Sequence, residues 1–172
     1  LATNLNNLST LYVETGKISE ALVACEKSLA IRAKPARENP TVTQLVSYLA
    51  ARHSNHAVLL RDSGRPDEAL QAHGQPVKGL VRLALENAAA IQFHSDYAAS
   101  LHNLASLQMD MKMYLDAKKG LLTAVQFQKR ALAAHPDNPI FRLCLRNHYG
   151  QLEVTAKRLN DADLRSEAIK GL

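Results

Sequence analysis

A spacing of 48 residues, kept from one end of this chain to the other, limits what it can fold into more than any other feature. The residues that punctuate the pattern are Gly16, Gly64, Lys112 and Asn160. Eight residues before each stands Leu8, His56, Leu104 or Leu152, and five residues after come Ala21, Ala69 and Ala117. The fourth copy has its matching alanine, Ala168, three residues late. Between copies, Asn39-Pro40 is answered by Asn87-Ala88 and His135-Pro136. A spacing held over three intervals marks an internal repeat, in which one supersecondary unit buries its apolar face only against the next. The copies are read as 1–39, 40–87, 88–135 and a partial 136–172, together one repeat domain.

Inside each copy the apolar residues follow helical spacing. Leu5, Leu8, Leu11 and Tyr12 form one stripe, and Ile18, Ala21, Leu22, Cys25 and Leu29 form another beyond Gly16. Gly16 suits the left-handed conformation that closes a helix, and Pro66, followed by Asp67 and Glu68, suits the first turn of the next. Each copy is therefore an antiparallel pair, helix A then helix B. The pattern predicts helices over 1–15, 18–35, 41–63, 66–91, 95–111, 114–134 and 139–159, with a short one from about 163. Nothing alternates with period two, so no strand is expected.

Two positions break the pattern. Pro76, between Gly74 and Gly79, would remove a backbone hydrogen bond from a helix interior at a cost of about 3 kcal/mol, which predicts a bend or break near 72–76. Lys112 stands where copies one and two have Gly, and a positive φ there would be strained, so that turn is expected to be built differently.

Composition agrees with stacked helices. The apolar share is 47%, enough for a core, and the aromatic share only 5% with no Trp, leaving Leu, Ala, Val and Ile to fill it. No apolar run reaches the roughly 18–20 residues that span a bilayer, so no membrane partner is expected. Cys25 and Cys144 lie in different copies, provide neither a disulfide framework nor metal spacing, and agree with a reducing, cytoplasmic setting. The net charge of +5 is spread evenly: residues 1–86 carry 10 basic and 8 acidic side chains, residues 87–172 carry 11 and 8. With no basic tail or block, nucleic acid is not expected as a partner. The chain begins inside a helical pattern without Met and ends abruptly at Leu172, which reads as a piece of a longer protein.

Helix A ending in Leu-x-x-Tyr, then Gly, then Glu-Ala opening helix B resembles the tetratricopeptide repeat. The residues that carry the resemblance are Leu5, Leu8, Ser9, Tyr12, Gly16, Ala21, Cys25 and Ser28 in copy one. Copies two and three match at about half of these positions, and copy four keeps Leu152, Ala156 and the displaced Glu167-Ala168. The ordinary repeat of this family has 34 residues; 14 more would add about 21 Å of helix at 1.5 Å per residue. Long repeats carrying Leu5-Asn6-Asn7-Leu8 and Ser28-Leu29-Ala30-Ile31-Arg32 are similar to those of kinesin light chains. They are also similar to bacterial arrays, some attached to serine/threonine kinases. The resemblance implies an all-α, right-handed superhelical stack of antiparallel helix pairs, an α-solenoid, with A helices on the concave face.

On that face the resemblance points to the side-chain amides Asn7, Asn55, Asn103 and Gln151, one per copy. An amide carries two donors and two acceptor lone pairs and can pair with the main chain of an extended peptide. The other reading is that these amides stabilise A-helix packing or simply face water. Neighbouring groove candidates are Asn6, Thr10, Val58, Arg61 and Ser106. The Lys/Asn pair of a carboxylate clamp is missing, with Asn6 and Thr10 in the first A helix and His102 and Ser106 in the third. His53 and His56, three apart, with His73 in the paired helix, could approach a metal. All three occupy family packing positions, however, and no Cys or acid lies at a matching spacing, so no metal or cofactor is expected. The phosphate-binding, nucleophile-elbow and zinc-protease motifs are absent. The sequence thus reads as a non-catalytic scaffold that binds a peptide or protein segment in the A-helix groove. The alternative is a structural spacer or self-association module.

Overall fold

The computed structural model describes residues 1–38, 43–86 and 91–172. Eight helices follow in order among the described residues: α1 (Ala2–Glu14), α2 (Ile18–Glu38), α3 (Thr43–Asp62), α4 (Pro66–Glu86), α5 (Ile91–Asp110), α6 (Tyr114–Ala134), α7 (Pro139–Leu159) and α8 (Ala162–Lys170). No strand occurs among the described residues. Odd-numbered helices are the A helices and even-numbered ones the B helices. The expected links at Asn39-Pro40 and Asn87-Ala88 lie outside the described residues, whereas His135-Pro136 falls in the turn between α6 and α7. The third A helix starts at Ile91, four residues earlier than its apolar spacing suggests. Contacts divide the chain into two compact units, Leu1–Leu80 and Val81–Leu172.

The 48-residue spacing is a spacing of helix C-caps. Gly16, Gly64, Lys112 and Asn160 have φ of 73°, 80°, 62° and 53°. At each turn two amides reach back to carbonyls that the helix end leaves unpaired. Lys17 N–H donates to Tyr12 C=O at 2.8 Å and Gly16 N–H to Val13 C=O at 3.0 Å. The same pair recurs as Arg65 to Leu60 with Gly64 to Arg61, as Met113 to Gln108 with Lys112 to Met109, and as Asp161 to Ala156 with Asn160 to Lys157. This is the Schellman arrangement. The Lys112 turn is therefore not built differently, contrary to the expectation from its side chain. Two hydrogen bonds and the helix pairs on either side hold the lysine in the strained region. A left-handed non-glycine residue costs roughly 1–2 kcal/mol, so Lys112→Gly should stabilise residues 81–172 by about 1 kcal/mol, read as a higher denaturant midpoint. An unchanged or lower midpoint would contradict the strain.

The expected break at Pro76 is also absent: α4 runs unbroken from Pro66 to Glu86. One face of α4 buries Ala69, His73, Leu80, Leu83 and Ala84. Packing along that face outweighs the one hydrogen bond that an interior proline removes.

Each helix pair closes on small residues. Ser9 and Ala21, Ala57 and Ala69, and Ala105 and Ala117 are all buried, most of them completely. They stand 12 apart across the turn, where two helices can approach only if neither presents a large side chain. At the first of these crossings Ser9 Oγ donates to Ala21 C=O at 2.8 Å, and Ser28 Oγ donates to Ala2 C=O at 2.9 Å. In the second unit, Ala105, Ala117, Leu121, Val125, Tyr149, Leu152, Ala156, Leu164 and Ala168 form one apolar cluster. A buried amide spans three helices there. Gln128, fully buried, accepts from Ser95 Oγ of α5 and donates to Phe141 C=O of α7, each at 3.1 Å.

The last pair is capped by side chains. Asn138 accepts from the Ile140 and Phe141 amides ahead of Pro139, and Asp161 accepts from the Leu164 amide at the start of α8. Asp161 also receives Lys118 Nζ of α6 at 2.7 Å, which holds its carboxyl below the usual range.

Candidate functional site

The A helices present a polar stripe to solvent, and its members differ in whether the fold already uses them. Asn7, Asn55 and Asn103 are exposed and Gln151 is half-buried. None of these four amide side chains makes a hydrogen bond among the described residues. The stripe continues one turn on with Thr10, with Val58 at 38% exposure, and with the half-buried Ser106. In the first unit it runs through Asn7 and Thr10 on α1 and through Asn55 and Val58 on α3. In the second it runs through Asn103 and Ser106 on α5 and through Gln151 on α7.

The remaining candidates are occupied. Asn6 is not a free groove amide: its Oδ1 accepts from Arg52 of α3. Thr10 Oγ1 donates to the Asn6 carbonyl at 3.2 Å, and Ser106 Oγ to the His102 carbonyl at 3.2 Å, both turning back onto their own helix. Arg61 Nε donates to Asp62 at 2.9 Å at the end of α3.

The Asn6–Arg52 contact has a counterpart that sequence reading missed. In the second unit His148 Nδ1 of α7 lies 3.2 Å from His102 Nδ1 of α5. Both contacts join residues 46 apart, the residue 12 before the turn of one copy to the residue 10 before the turn of the copy before it. Neighbouring A helices are thus clamped side by side just beneath the amide stripe, through a guanidinium–amide pair in one unit and an imidazole pair in the other. Thr155 and Met109 form a further contact of this kind at 3.2 Å. Only one nitrogen of a neutral imidazole carries hydrogen, so one ring donates and the other accepts. Burial pushes His102 down, and burial with the neighbouring His102 pushes His148 down to about 4.

The histidines of the first unit are separately placed. His73 is buried, and burial with Arg61 and His53 lowers it to about 4; His53 is lowered mainly by burial. His56 meets Glu26 of α2 at 3.4 Å. Among the described residues no group of three or more His, Cys, Asp or Glu side chains could hold a metal ion, and no helix is long and apolar enough to cross a membrane. Cys25 is buried and raised to about 11, chiefly by burial, which leaves an unreactive thiol.

Comparison with known proteins follows the same lines. Residues 1–34, the first A/B pair, match the tetratricopeptide repeat family. That pair is similar to a tetratricopeptide repeat. The rest of the chain shares the fold. BtubC (BKLC) from P. vanneervenii superposes with a TM-score of 0.69 at 18% identity, over 99% of this chain and 61% of that one. The nearly identical TPR-like repeats of a candidate kinesin light chain from Podosopora anserina superpose at 0.62 with 22% identity, over 99% of this chain and 76% of that one. The chain thus spans about 61% of the length of BtubC. No curated protein sequence matches it. The all-α, TPR-like stack of helix pairs is established, and tetratricopeptide repeats generally mediate protein–protein interaction.

Proposed function

We propose that the exposed stripe of the A helices binds an extended peptide or protein segment, and that the chain is a non-catalytic scaffold. One observation supports this above the others. Asn7, Asn55 and Asn103 recur at one position of successive copies, face solvent, and are used by no hydrogen bond among the described residues. The neighbouring amide, Asn6, is by contrast consumed by the fold. Packed helices lie about 8–10 Å apart, and an extended polyproline-like peptide advances about 3.1 Å per residue. Adjacent amides in a unit would therefore meet a peptide main chain about every third residue. Small neighbours such as Thr10 and Ser106 leave room for varied side chains. The two unpaired thiols agree with a reducing, cytoplasmic setting.

The test uses peptides selected on this chain from a random display library. Each amide–peptide hydrogen bond contributes about 0.5–1.5 kcal/mol. The double variant Asn7→Ala, Asn55→Ala, both in the first unit, should therefore weaken selected peptides by about tenfold or more, with helicity and unfolding midpoint unchanged. Equal affinity for the variant would dismiss the amide stripe as the binding face.

A further inference from the structure

The two rings of the α5–α7 imidazole pair differ at Nε2. That of His148 is buried without a hydrogen-bond partner, in a side chain only 2% exposed. His102 is half-buried, so part of its ring reaches solvent, and the contact its ring makes is with His148. It stands beside Asn103 of the amide stripe and one turn before Ser106, whose hydroxyl donates to its carbonyl.

Two neutral arrangements satisfy the 3.2 Å contact between the Nδ1 atoms. Either His148 donates from Nδ1 and keeps a bare nitrogen at Nε2, or His102 donates and His148 carries an Nε2–H. In each arrangement one ring holds its hydrogen on Nδ1 and the other on Nε2, so the intrinsic preference of imidazole cancels. The surroundings decide between them. Buried N–H groups without an acceptor are rarer in folded proteins than buried acceptors left short of a donor. Water can serve the exposed edge of His102 in both arrangements. His148 is therefore the donor and His102 the acceptor, which places the hydrogen of His102 on Nε2.

We propose that His102 is a hydrogen-bond donor of the binding stripe, held in its Nε2–H form by His148 of the following copy, and that it meets a main-chain carbonyl of the bound segment beside Asn103. The assignment rests on the stripe being the binding face. A side-chain amide can turn over to offer a donor or an acceptor, whereas the locked ring offers a donor alone. His102 thus fixes which edge of an extended segment the second unit reads, with His148 as its positioning residue.

Long-range ¹H–¹⁵N spectra of the 172-residue chain read the tautomers without any peptide. They are taken at about pH 8, above the value of 6.5 from which burial lowers both rings. Nε2 of His102 and Nδ1 of His148 should carry the hydrogens; the reverse assignment overturns the proposal. Display-selected peptides that are weakened by Asn103→Ala then test the donor itself. His102→Asn keeps a polar group towards His148 but reaches no further, and should weaken these peptides by about three- to tenfold. His102→Gln extends an amide donor to the Nε2 position and should restore most of that loss. Both variants should keep the wild-type unfolding midpoint. Equal affinity of His102→Asn and wild type overturns the proposal and leaves the stripe standing. If no selected peptide depends on Asn103, the stripe of the second unit and the His102 donor fall together.

Discussion

Leu121→Ala should destabilise residues 81–172 by about 3–5 kcal/mol. Leu121 is fully buried, and its cluster draws on α5 (Ala105), α6 (Val125), α7 (Leu152) and α8 (Ala168). Removing three carbons there loses their transfer free energy and leaves a cavity. The cavity cannot close easily. Ala105 and Ala117 already bring α5 and α6 together, Gln128 ties α6 to both neighbours, and Lys118 pins α6 to the α7–α8 turn. The upper part of the usual range for such a truncation is therefore expected. Native-state hydrogen exchange of α5–α7 amides reads the change in this unit alone. Leu115→Ala, on the solvent side of the same helix at 65% exposure, is the control and should cost under about 1 kcal/mol. Similar losses for the two variants would mean that the cluster is not the core of the unit.

The second large effect is acid sensitivity. His73 and His148 are 1% and 2% exposed, and each is pushed from 6.5 down to about 4. Their folded-state values lie below the unfolded ones, so between pH 6.5 and about 4 the unfolded chain binds more protons. Stability must therefore fall as pH falls through that window, and it is fully present above it. At about 1.4 kcal/mol per unit of separation, each residue contributes a loss of order 3 kcal/mol by pH 4. The two act in different units, His73 beside Arg61 and His53, His148 beside His102. In the second unit, protonation of both rings would leave both Nδ1 atoms of the pair as donors facing each other, breaking the α5–α7 clamp. The unfolding midpoint should hold steady above pH 7 and drop from pH 6.5 to 4. His73→Leu with His148→Leu should flatten that drop. A wild-type midpoint flat across the window would show that both rings take up protons without cost to the fold.

Much of the fold could be read from the sequence because it rests on local chemistry. The turn glycines, the apolar spacing of Leu5, Leu8 and Tyr12, and the alanines five residues beyond the first three turns all act within one helix pair. The helix pairs followed from these alone. Lys112 misled because side-chain preference is a weak local term, while the left-handed turn is imposed by two backbone hydrogen bonds and by the helices it joins. At Pro76 the helix does not break, since the packing of α4 carries it through the proline. The site was less legible. Asn6 and Asn7 are adjacent and chemically identical, yet Arg52 engages one and leaves the other facing solvent. The His102–His148 pair and the Gln128 bridge join residues 46, 33 and 13 apart on separate helices, and no single-helix pattern announces them. The Arg52 and His148 contacts share a spacing of 46, a trace of A-helix adjacency that becomes meaningful only once the helices are placed.

The amide stripe is tested most directly by following its own side chains. In a ¹⁵N-labelled sample, the NH₂ resonances of Asn7, Asn55 and Asn103 can be observed while a display-selected peptide is added. They should shift in proportion to occupancy, and their exchange with water should slow, while the B-helix amides stay in place. Saturable peptide binding that leaves all three resonances unmoved, or that shifts the B-helix faces instead, would contradict the account.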